Sequence, residues 1–241
     1  MAEHPQESEH RLLEALSATC VVVPAHNEAG VINDVVAELL ALPGHVVVVD
    51  DGSTDDTYRV CLGLPVDLLR HGTNLGQGAA LQTGITYALS LPGVRFVVTF
   101  DADGQHELAA VGALVERLSA GDFDVALGTR FARQTDSHAI PWGRRVLLRG
   151  AVLFTRLTTG LAVTDTHNGL RAFTADAARQ LGIRHGGMAH ASEILATVRK
   201  RRLRWCEVPV CISYTEYSRA KGQRGSAAMD IVWDLVMGRL R

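Results

Sequence analysis

Residues 96–105 of the chain read FVVTFDADGQ, an apolar run that passes without a break into acidic and polar side chains. The β-branched and aromatic run Phe96–Phe100 is typical of a strand that is buried on both faces. We therefore predict a buried strand here, with Asp101-Ala102-Asp103 presented at its C-terminal end.

Four further apolar runs are predicted strands: Cys20–Val23, closed by Pro24, then Val46–Val49, Val66–Leu69 and Val125–Leu127. Between them, apolar residues recur at helical spacing within 31–40, 76–89 and 108–118. This alternation predicts an α/β fold with a mixed, mostly parallel, doubly wound sheet flanked by helices. Ligands of such sheets bind outside the carboxyl ends of the strands, so we expect the functional site there.

The second half of the chain is less regular. It predicts a long helix over Trp142–Val163, helices over Asp176–Leu181 and Ser192–Lys200, a strand over Trp205–Ser213 and an amphipathic helix over Ala227–Leu240. At the other end, the first ten residues are polar, while Leu12, Leu13 and Leu16 suggest a short helical lead-in.

Composition narrows the function classes. The 241 residues carry a formal net charge of −2, which argues against a general nucleic-acid binder. The four cysteines form no CxxC pair, as expected of reduced, packed thiols. No apolar run reaches the ~20 residues of a membrane span, and the N-terminus lacks a signal-peptide core. We expect a cytoplasmic protein, soluble or peripheral to a membrane.

The acidic pair after the Phe96–Phe100 strand predicts a metal site. Asp101 and Asp103 are two residues apart, and on an extended segment their carboxylates point the same way, with Gln105 continuing the alternation. Mg²⁺ and Mn²⁺ prefer such oxygens and also accept phosphate oxygens. A solvated loop is the alternative. His106 is left out of the predicted ligand set, because a loop histidine is more often incidental.

Two more polar clusters fall at predicted strand ends, at Pro24–Glu28 and Asp50-Asp51, and should converge on the same edge as Asp101. Carboxylates at Asp50-Asp51 suit ribose hydroxyls or the N–H of a base, whereas Ser53 or Thr54 is expected to cap the next helix. A glycine-containing segment, Asn74–Ala80, opens the following helix and fits close backbone approach to a ligand; a simple turn is the alternative.

Taken in order, Pro24-Ala-His-Asn-Glu28, Asp50-Asp-Gly-Ser-Thr-Asp55, Asn74-Leu-Gly-Gln-Gly78 and Asp101-Ala-Asp-Gly-Gln-His106 resemble the family 2 glycosyltransferases of GT-A fold. The resemblance covers about residues 18–225. It implies that the first clusters hold a nucleoside and that the aspartates bind metal and diphosphate. The implied nucleotide-binding residues are Pro24, Ala25, Asn27, Glu28, Asp50, Asp51, Asn74, Gly76, Gln77, Asp101 and Ala102.

The second half is similar to the dolichyl- or polyprenyl-phosphate sugar synthases, including the polyprenyl-phospho-N-acetylgalactosaminyl type. The similarity rests on Asp165-Thr-His-Asn-Gly-Leu-Arg171, Glu193, Glu207-Val-Pro209 and Tyr217–Gln223. Asn168 departs from the small hydroxyl residue usual there, and Tyr217–Gln223 departs from the usual Gly-x-Ser-Lys. The resemblance implies inverting transfer of a sugar from a nucleotide donor, UDP or GDP, to polyprenyl phosphate. We favour UDP-N-acetylhexosamine, on the resemblance alone.

The roles implied by this similarity divide in two. Asp103, Asp165 and Arg171 are expected to act in catalysis. The acceptor phosphate and the diphosphate are assigned to Arg130, Arg171, Glu193, Arg219, Lys221 and Arg224. Asp165 would orient Arg171, serve as a base for a hydroxyl acceptor, or form a structural ion pair with Arg171. Glu193 could instead be a buried partner of an arginine, and residues 219–224 an exposed loop.

Three regions follow from the resemblance and the apolar pattern: a flexible tail over residues 1–16, a catalytic domain over 17–225 and a C-terminal amphipathic helix over 226–241. That helix and the basic, apolar Trp142–Val163 suit a position at the inner face of the cell membrane, or docking on a small membrane-protein subunit. Core packing explains either helix equally well. The alternative function is a soluble transferase that glycosylates a saccharide or protein hydroxyl.

Overall fold

The computed structural model describes residues 5–130, 161–166, 168–187 and 189–212. Within these ranges the chain forms seven helices and one seven-stranded sheet. The helices are α1 (Pro5–Ser17), α2 (Ile32–Leu39), α3 (Thr57–Leu62), α4 (Gln77–Ala88), α5 (Leu108–Ser119), α6 (Ala175–Gln180) and α7 (His190–Lys200). The strands are β1 (Thr19–Ala25), β2 (His45–Asp50), β3 (Asp67–Arg70), β4 (Phe96–Thr99), β5 (Val125–Thr129), β6 (Arg171–Thr174) and β7 (Trp205–Pro209).

The sheet has the order β3-β2-β1-β4-β6-β5-β7. Strand β6 runs antiparallel to both of its neighbours, β4 and β5, and the other pairs are parallel. The predicted mixed, mostly parallel α/β fold is therefore confirmed. Strand β6 itself was not predicted, because its sequence, Arg-Ala-Phe-Thr, is not a continuous apolar run.

Two hydrophobic clusters cover the two faces of the sheet. Alternate residues of β1 point to opposite faces, with Val21 and Val23 in the cluster under α1, α2, α3 and α5, and Cys20 and Val22 in the cluster under α4, α6 and α7. Gly84 lets α4 approach closely, since a Cβ there would overlap Cγ1 of Val22. Burying each such valine contributes about 1.5–3 kcal/mol, so the strand ends are held on a well-packed platform.

Several local predictions need correction. The flexible tail over residues 1–16 is wrong from residue 5 onward, because α1 packs on α5 and buries Ala15 and Leu16. The predicted cap of α3 by Ser53 or Thr54 is also wrong. The helix begins at Thr57, whose amide donates to Oδ1 of Asp55 at 2.9 Å.

The predicted long helix Trp142–Val163 is wrong at its C-terminal end. Residues 161–163 are not helical, and the alternating burial of Leu161 and Val163 around exposed Ala162 is that of an extended segment. The rest of this prediction lies outside the described residues, as does the helix Ala227–Leu240. The strand from Trp205 ends at Pro209 instead of Ser213. No helix in the described ranges combines the length and apolarity needed to cross a membrane.

Candidate active site

The carboxyl ends of β1, β2 and β4 lie side by side. Ala25 pairs with Asp50 and Val22 with Thr99 in parallel registers, so the loops that follow these strands emerge at one edge of the sheet. That edge gathers the clusters expected to bind nucleotide and metal. Pro24 and Ala25 complete β1, and the methyl group of Ala102 is buried beneath the loop after β4.

Asn27 ties the first two loops together. Its backbone adopts a left-handed conformation with φ of 55°, which asparagine tolerates better than most residues. Its amide donates to Oγ of Ser53 at 3.0 Å, and its Oδ1 accepts from the amide of Thr54 at 2.9 Å. Ser53 is therefore engaged with the β1 loop, which explains why it does not cap α3. Next to it, the amide of Glu28 donates to Oγ1 of Thr57 at 2.8 Å.

Asp51 organises the segment that leads into α4. Its carboxylate accepts from the backbone amides of Leu75 and Gly76, at 2.9 and 2.7 Å, and contacts Nδ1 of His71 at 2.7 Å. A Cβ at Gly52, where φ is 64°, would overlap the backbone of Thr73. The acidic pair therefore shapes a loop as well as supplying charge.

Asp50 has a different environment. Its side chain is fully buried, and Oδ2 lies 3.1 Å from Nε of Arg70, whose guanidinium stacks on Tyr58. Oδ1 accepts from the amide of Ser53 at 3.3 Å. Asp50 thus stabilises the end of β2 through Arg70 and Ser53, whereas Asp51 binds the segment that leads into α4.

His26 and Asn74 also connect these loops. Nδ1 of His26 lies 2.9 Å from the backbone carbonyl oxygen of Asp51, and Nε2 lies 2.9 Å from the side-chain Nδ2 of Asn74. A neutral ring that donates from Nδ1 and accepts at Nε2 satisfies both contacts, and this tautomer is inferred from the network. His26 thereby joins the β1 loop to the segment before α4, a link that the sequence motif did not reveal.

The loop after β4 is a tight turn and not the extended segment that was predicted. Gly104 has φ of 69°, and Gln105 folds back so that its amide and Nε2 donate to Asp103 at 3.1 and 2.7 Å. Asp101 accepts from Nε2 of Gln77 at 2.9 Å and faces Nε2 of His106 at 3.7 Å. The predicted alternation of Asp101, Asp103 and Gln105 along an extended segment is therefore wrong. The three residues still lie in one turn, which is called the acidic turn.

The two carboxylates of this turn titrate apart. Burial and the charge of Asp101 raise the pKa of Asp103 from its ordinary 3.8 to about 6. Burial alone would raise the pKa of Asp101 too, but the neighbouring His106 and the charge of Arg171 hold that pKa below its usual value. A nearby cation would thus stabilise the ionised carboxylate of Asp103 more than that of Asp101.

The donor set fits a hard cation that is shared with a phosphate ligand. The described residues contain no group of three or more His, Cys, Asp or Glu side chains that could hold a metal. Mg²⁺ is usually bound by one or two carboxylates together with substrate phosphates, and Asp101 with Asp103 matches that pattern. The carboxamide oxygen of Gln105 is the third candidate donor, since its nitrogen is turned to Asp103.

Three further charged side chains, Arg171, Asp165 and Arg130, extend from this turn toward β5. Arg171, at the start of β6, is buried; burial lowers its pKa, while the charges of Asp101 and Asp165 oppose the shift. Asp165 accepts from Nε and Nη2 of Arg130 at 2.6 and 2.7 Å. The expected hydrogen-bonded partner of Asp165 was Arg171, but the bidentate pair is formed with Arg130, and Arg171 donates to the carbonyl of Thr166 at 3.3 Å.

Gly169 is a point of close approach, because a Cβ there would overlap the carboxylate of Asp101. Beside it, Asn168 is buried, and its Oδ1 accepts from the amide of Leu170 at 2.9 Å. Among the described residues, Nδ2 of Asn168 and Nδ1 of His106 are buried without a hydrogen-bond partner. The close approach of Gly169 to Asp101 shows that the segment leading into β6 packs tightly against the acidic turn.

Glu193 has a different environment from these charged side chains. Its Oε2 accepts from the backbone amides of Arg184 and His185, at 2.9 and 3.0 Å, so its partner is backbone and not an arginine side chain. The three remaining basic residues assigned to phosphates, Arg219, Lys221 and Arg224, lie outside the described residues.

Two histidines act on Asp101 that were not among the predicted site residues. His106 packs its ring on Phe100 and faces Asp101, and the charge of His190 acts on Asp101 from the start of α7. The DADGQH sequence offered a signal for His106 through its position after the turn. Nothing in the sequence near His190 pointed to Asp101, because their proximity arises from long-range packing.

The chain is similar in sequence to known glycosyltransferases. The chain is 31% identical over 237 residues to the UDP-N-acetylglucosamine–dolichyl-phosphate N-acetylglucosaminyltransferase of Methanococcus voltae, covering 90% of this chain and 94% of that one. It is 28% identical over 233 residues to the undecaprenyl-phosphate mannosyltransferase of Micrococcus luteus, covering 89% and 93%.

Among solved structures, the fold is similar to glucosyl-3-phosphoglycerate synthase from Mycobacterium tuberculosis in complex with Mn²⁺, UDP and phosphoglyceric acid. The TM-score is 0.67 at 20% identity, covering 93% of this chain and 80% of that chain. This likeness confirms the GT-A architecture. The sequence profile of Glycosyl transferase family 2 matches residues 20–182, a span that contains the acidic turn, the Asp51 loop and Arg171. The chain therefore belongs to glycosyltransferase family 2.

Proposed function

We propose that this chain transfers an N-acetylhexosamine from its UDP-linked donor to polyprenyl phosphate, with inversion at the anomeric carbon and with Mg²⁺ or Mn²⁺ at Asp101, Asp103 and Gln105. The observation that supports the proposal is the buried Arg171, whose charge interacts with the charges of both Asp101 in the acidic turn and Asp165. Cationic and anionic groups therefore lie together where a diphosphate and an acceptor phosphate would meet.

The donor half of the site is the edge formed by the β1, β2 and β4 loops. Asn27 and Asp51 hold these loops in fixed register, so the nucleoside would bind against a preformed surface that includes Glu28, Asn74 and Gly76. A cation bound at the acidic turn would neutralise the leaving diphosphate. The names of the Methanococcus and Micrococcus relatives support polyprenyl-type acceptors, and the first of them supports the N-acetylhexosamine donor.

The acceptor half relies on arginines. A phosphate monoester has a second pKa of ~6, so it is largely dianionic at neutral pH and needs no general base. It needs cations instead, and we assign this role to Arg130 and Arg171, with Arg219, Lys221 and Arg224 for the diphosphate. A saccharide or protein hydroxyl would require a base. Asp165 fits that alternative poorly, because both of its oxygens accept from Arg130.

A lipid acceptor places the reaction at a membrane surface, so we propose peripheral association with the inner face of the cell membrane. Membranes from cells that express the protein should incorporate label from UDP-GlcNAc or UDP-GalNAc into a mild-acid-labile, organic-extractable lipid. UDP-Glc and GDP-Man serve as competing donors, and EDTA and Asp103→Ala should abolish the signal. Metal-dependent UDP binding without lipid label from any donor would contradict the proposal.

A further inference from the structure

The segment 183–187, called here the bracing loop, is hydrogen-bonded at every residue to α4 or α7. The amide of Ile183 donates to Oε1 of Gln82 at 2.8 Å, and the amides of Arg184 and His185 donate to Glu193. The carbonyl of Gly186 accepts from the amide of Gly78 at 2.8 Å, and the carbonyl of Gly187 lies 2.8 Å from Nδ1 of His190. The loop therefore connects the start of α7 to the start of α4.

The contact between the bracing loop and α4 leaves no space for a side chain. A Cβ at Gly76 would overlap the carbonyl of Gly186, and a Cβ at Gly78 would overlap the carbonyl of His185. A Cβ at Gly186 would in turn overlap the carbonyl of Leu75. Because packed backbones at this distance move together, a displacement of the loop would displace the first turn of α4.

The first turn of α4 carries a contact to the acidic turn. Gln77 donates through Nε2 to Oδ1 of Asp101 at 2.9 Å, while the amide of Gly76 is held by Asp51. The backbone around Gln77 is thus fixed on one side by Asp51 and on the other by the bracing loop. The orientation of the Asp101 carboxylate depends on both.

We propose that Glu193 is a positioning residue: its carboxylate fixes the bracing loop, which seats the first turn of α4 and so aims Gln77 at Asp101. The link to cation and diphosphate binding rests on the proposed function, whereas the mechanical link does not. Glu193 thus acts through backbone amides at a distance from the substrate, and this role replaces the phosphate contact expected from the sequence. Removal of its two acceptor bonds should loosen α4 more than it destabilises α7, since alanine is a strong helix former.

The first measurement is hydrogen–deuterium exchange of residues 76–80 in the full-length protein without ligand. Glu193→Ala should increase exchange there, and Glu193→Gln, which keeps one carbonyl oxygen for both amides, should restore it. Gly78→Ala should reproduce the increase from the other side of the contact. Glu116→Ala and Gly112→Ala on α5 are the matched controls, because Glu116 is exposed and a Cβ at Gly112 meets nothing within 4 Å.

The second measurement is the affinity for UDP in the presence of Mn²⁺. Loss of a positioned hydrogen-bond network should weaken binding roughly tenfold in Glu193→Ala and in Gly78→Ala, with little change in Glu193→Gln. Unchanged exchange in Glu193→Ala would overturn the proposal, and so would a Glu193→Gln variant as impaired as Glu193→Ala in both measurements. Increased exchange in a protein whose wild type binds no Mn²⁺ and UDP would uphold the positioning role and contradict the proposed function.

Discussion

Arg130 and Asp165 form a bidentate ion pair at the end of β5, with Nε and Nη2 of the guanidinium 2.6 and 2.7 Å from the two carboxylate oxygens. The side chain of Asp165 is 1% exposed and that of Arg130 is 16% exposed, so this pair is shielded from water. A shielded pair of this geometry constrains the plane of the guanidinium as well as its charge.

Replacement of Arg130 by lysine should therefore impair transfer although the charge is kept. A lysine ammonium cannot reproduce two parallel N–H contacts. We expect kcat/KM for the acceptor to fall on the order of tenfold to a hundredfold, and the free energy of unfolding to fall by about 1–3 kcal/mol. Arg204→Lys is the matched control, because Arg204 forms a similar pair with Asp124 but its side chain is 58% exposed. Equal loss of activity in both variants would contradict a specific role for Arg130.

The pH dependence of the metal-free protein should report Asp103. Its pKa rises from 3.8 to about 6 on folding, so between these values the folded protein binds more protons than the unfolded chain. Stability should then decrease as pH rises through that window, and Asp103→Asn should remove the decrease, with a gain of roughly 1–2 kcal/mol at pH 7. Urea denaturation at pH 4.5 and pH 7 measures both effects. A wild-type stability that increases through the same window, by an amount that Asp103→Asn cancels, would refute this assignment.

Gly169→Ala should damage the acidic turn with a limited effect on folding. The added methyl group would overlap the carboxylate of Asp101, which must then move away from Gln77. We expect sugar transfer to fall roughly a hundredfold, as for a misplaced catalytic group, while the melting temperature stays within a few degrees. Gly112→Ala is the control substitution in α5. Full activity in Gly169→Ala would show that the close approach of residue 169 to Asp101 is unimportant.

Asp51 and Asp103 should affect nucleotide binding in different ways. Asp51→Asn turns an N–H donor toward the amides of Leu75 or Gly76, so the loop should loosen and UDP affinity should fall roughly tenfold with or without metal. Asp103→Asn should reduce only the metal-dependent part of the affinity. Calorimetric titration of UDP with Mn²⁺ and with EDTA separates the two. Identical behaviour of the variants under both conditions would contradict the division of roles.

The strand ends were predictable because buried parallel strands are continuous apolar runs, and Phe96–Phe100 followed by Asp101 is such a case. Local pattern also located the Asp51 loop and the acidic turn. The conformation of that turn was not predictable in the same way. Alternation assumes an extended backbone, whereas Gly104 adopts φ of 69° and folds Gln105 back onto Asp103.

Long-range pairings were the least predictable part of the site. Asp165 and Arg171 are six residues apart and were natural partners in sequence. However, β6 carries Arg171 into the sheet between β4 and β5, while Asp165 pairs with Arg130, the residue directly after β5. Glu193 was expected at a phosphate, but it accepts from the backbone amides of Arg184 and His185 instead. The Arg130–Asp165 pair spans 35 residues and the contact of the bracing loop with Gln82 spans 101, and spacing within a motif does not encode contacts at such separations.

The most direct test of the account is a reconstituted reaction with purified protein, UDP-GlcNAc or UDP-GalNAc, Mn²⁺ and vesicles with or without polyprenyl phosphate. Release of UDP and the mass of the extracted lipid are measured together. We predict that UDP release requires polyprenyl phosphate and Mn²⁺, and that the lipid gains the mass of one N-acetylhexosamine. UDP release that is independent of the lipid phosphate but stimulated by a free saccharide or a protein would contradict the account.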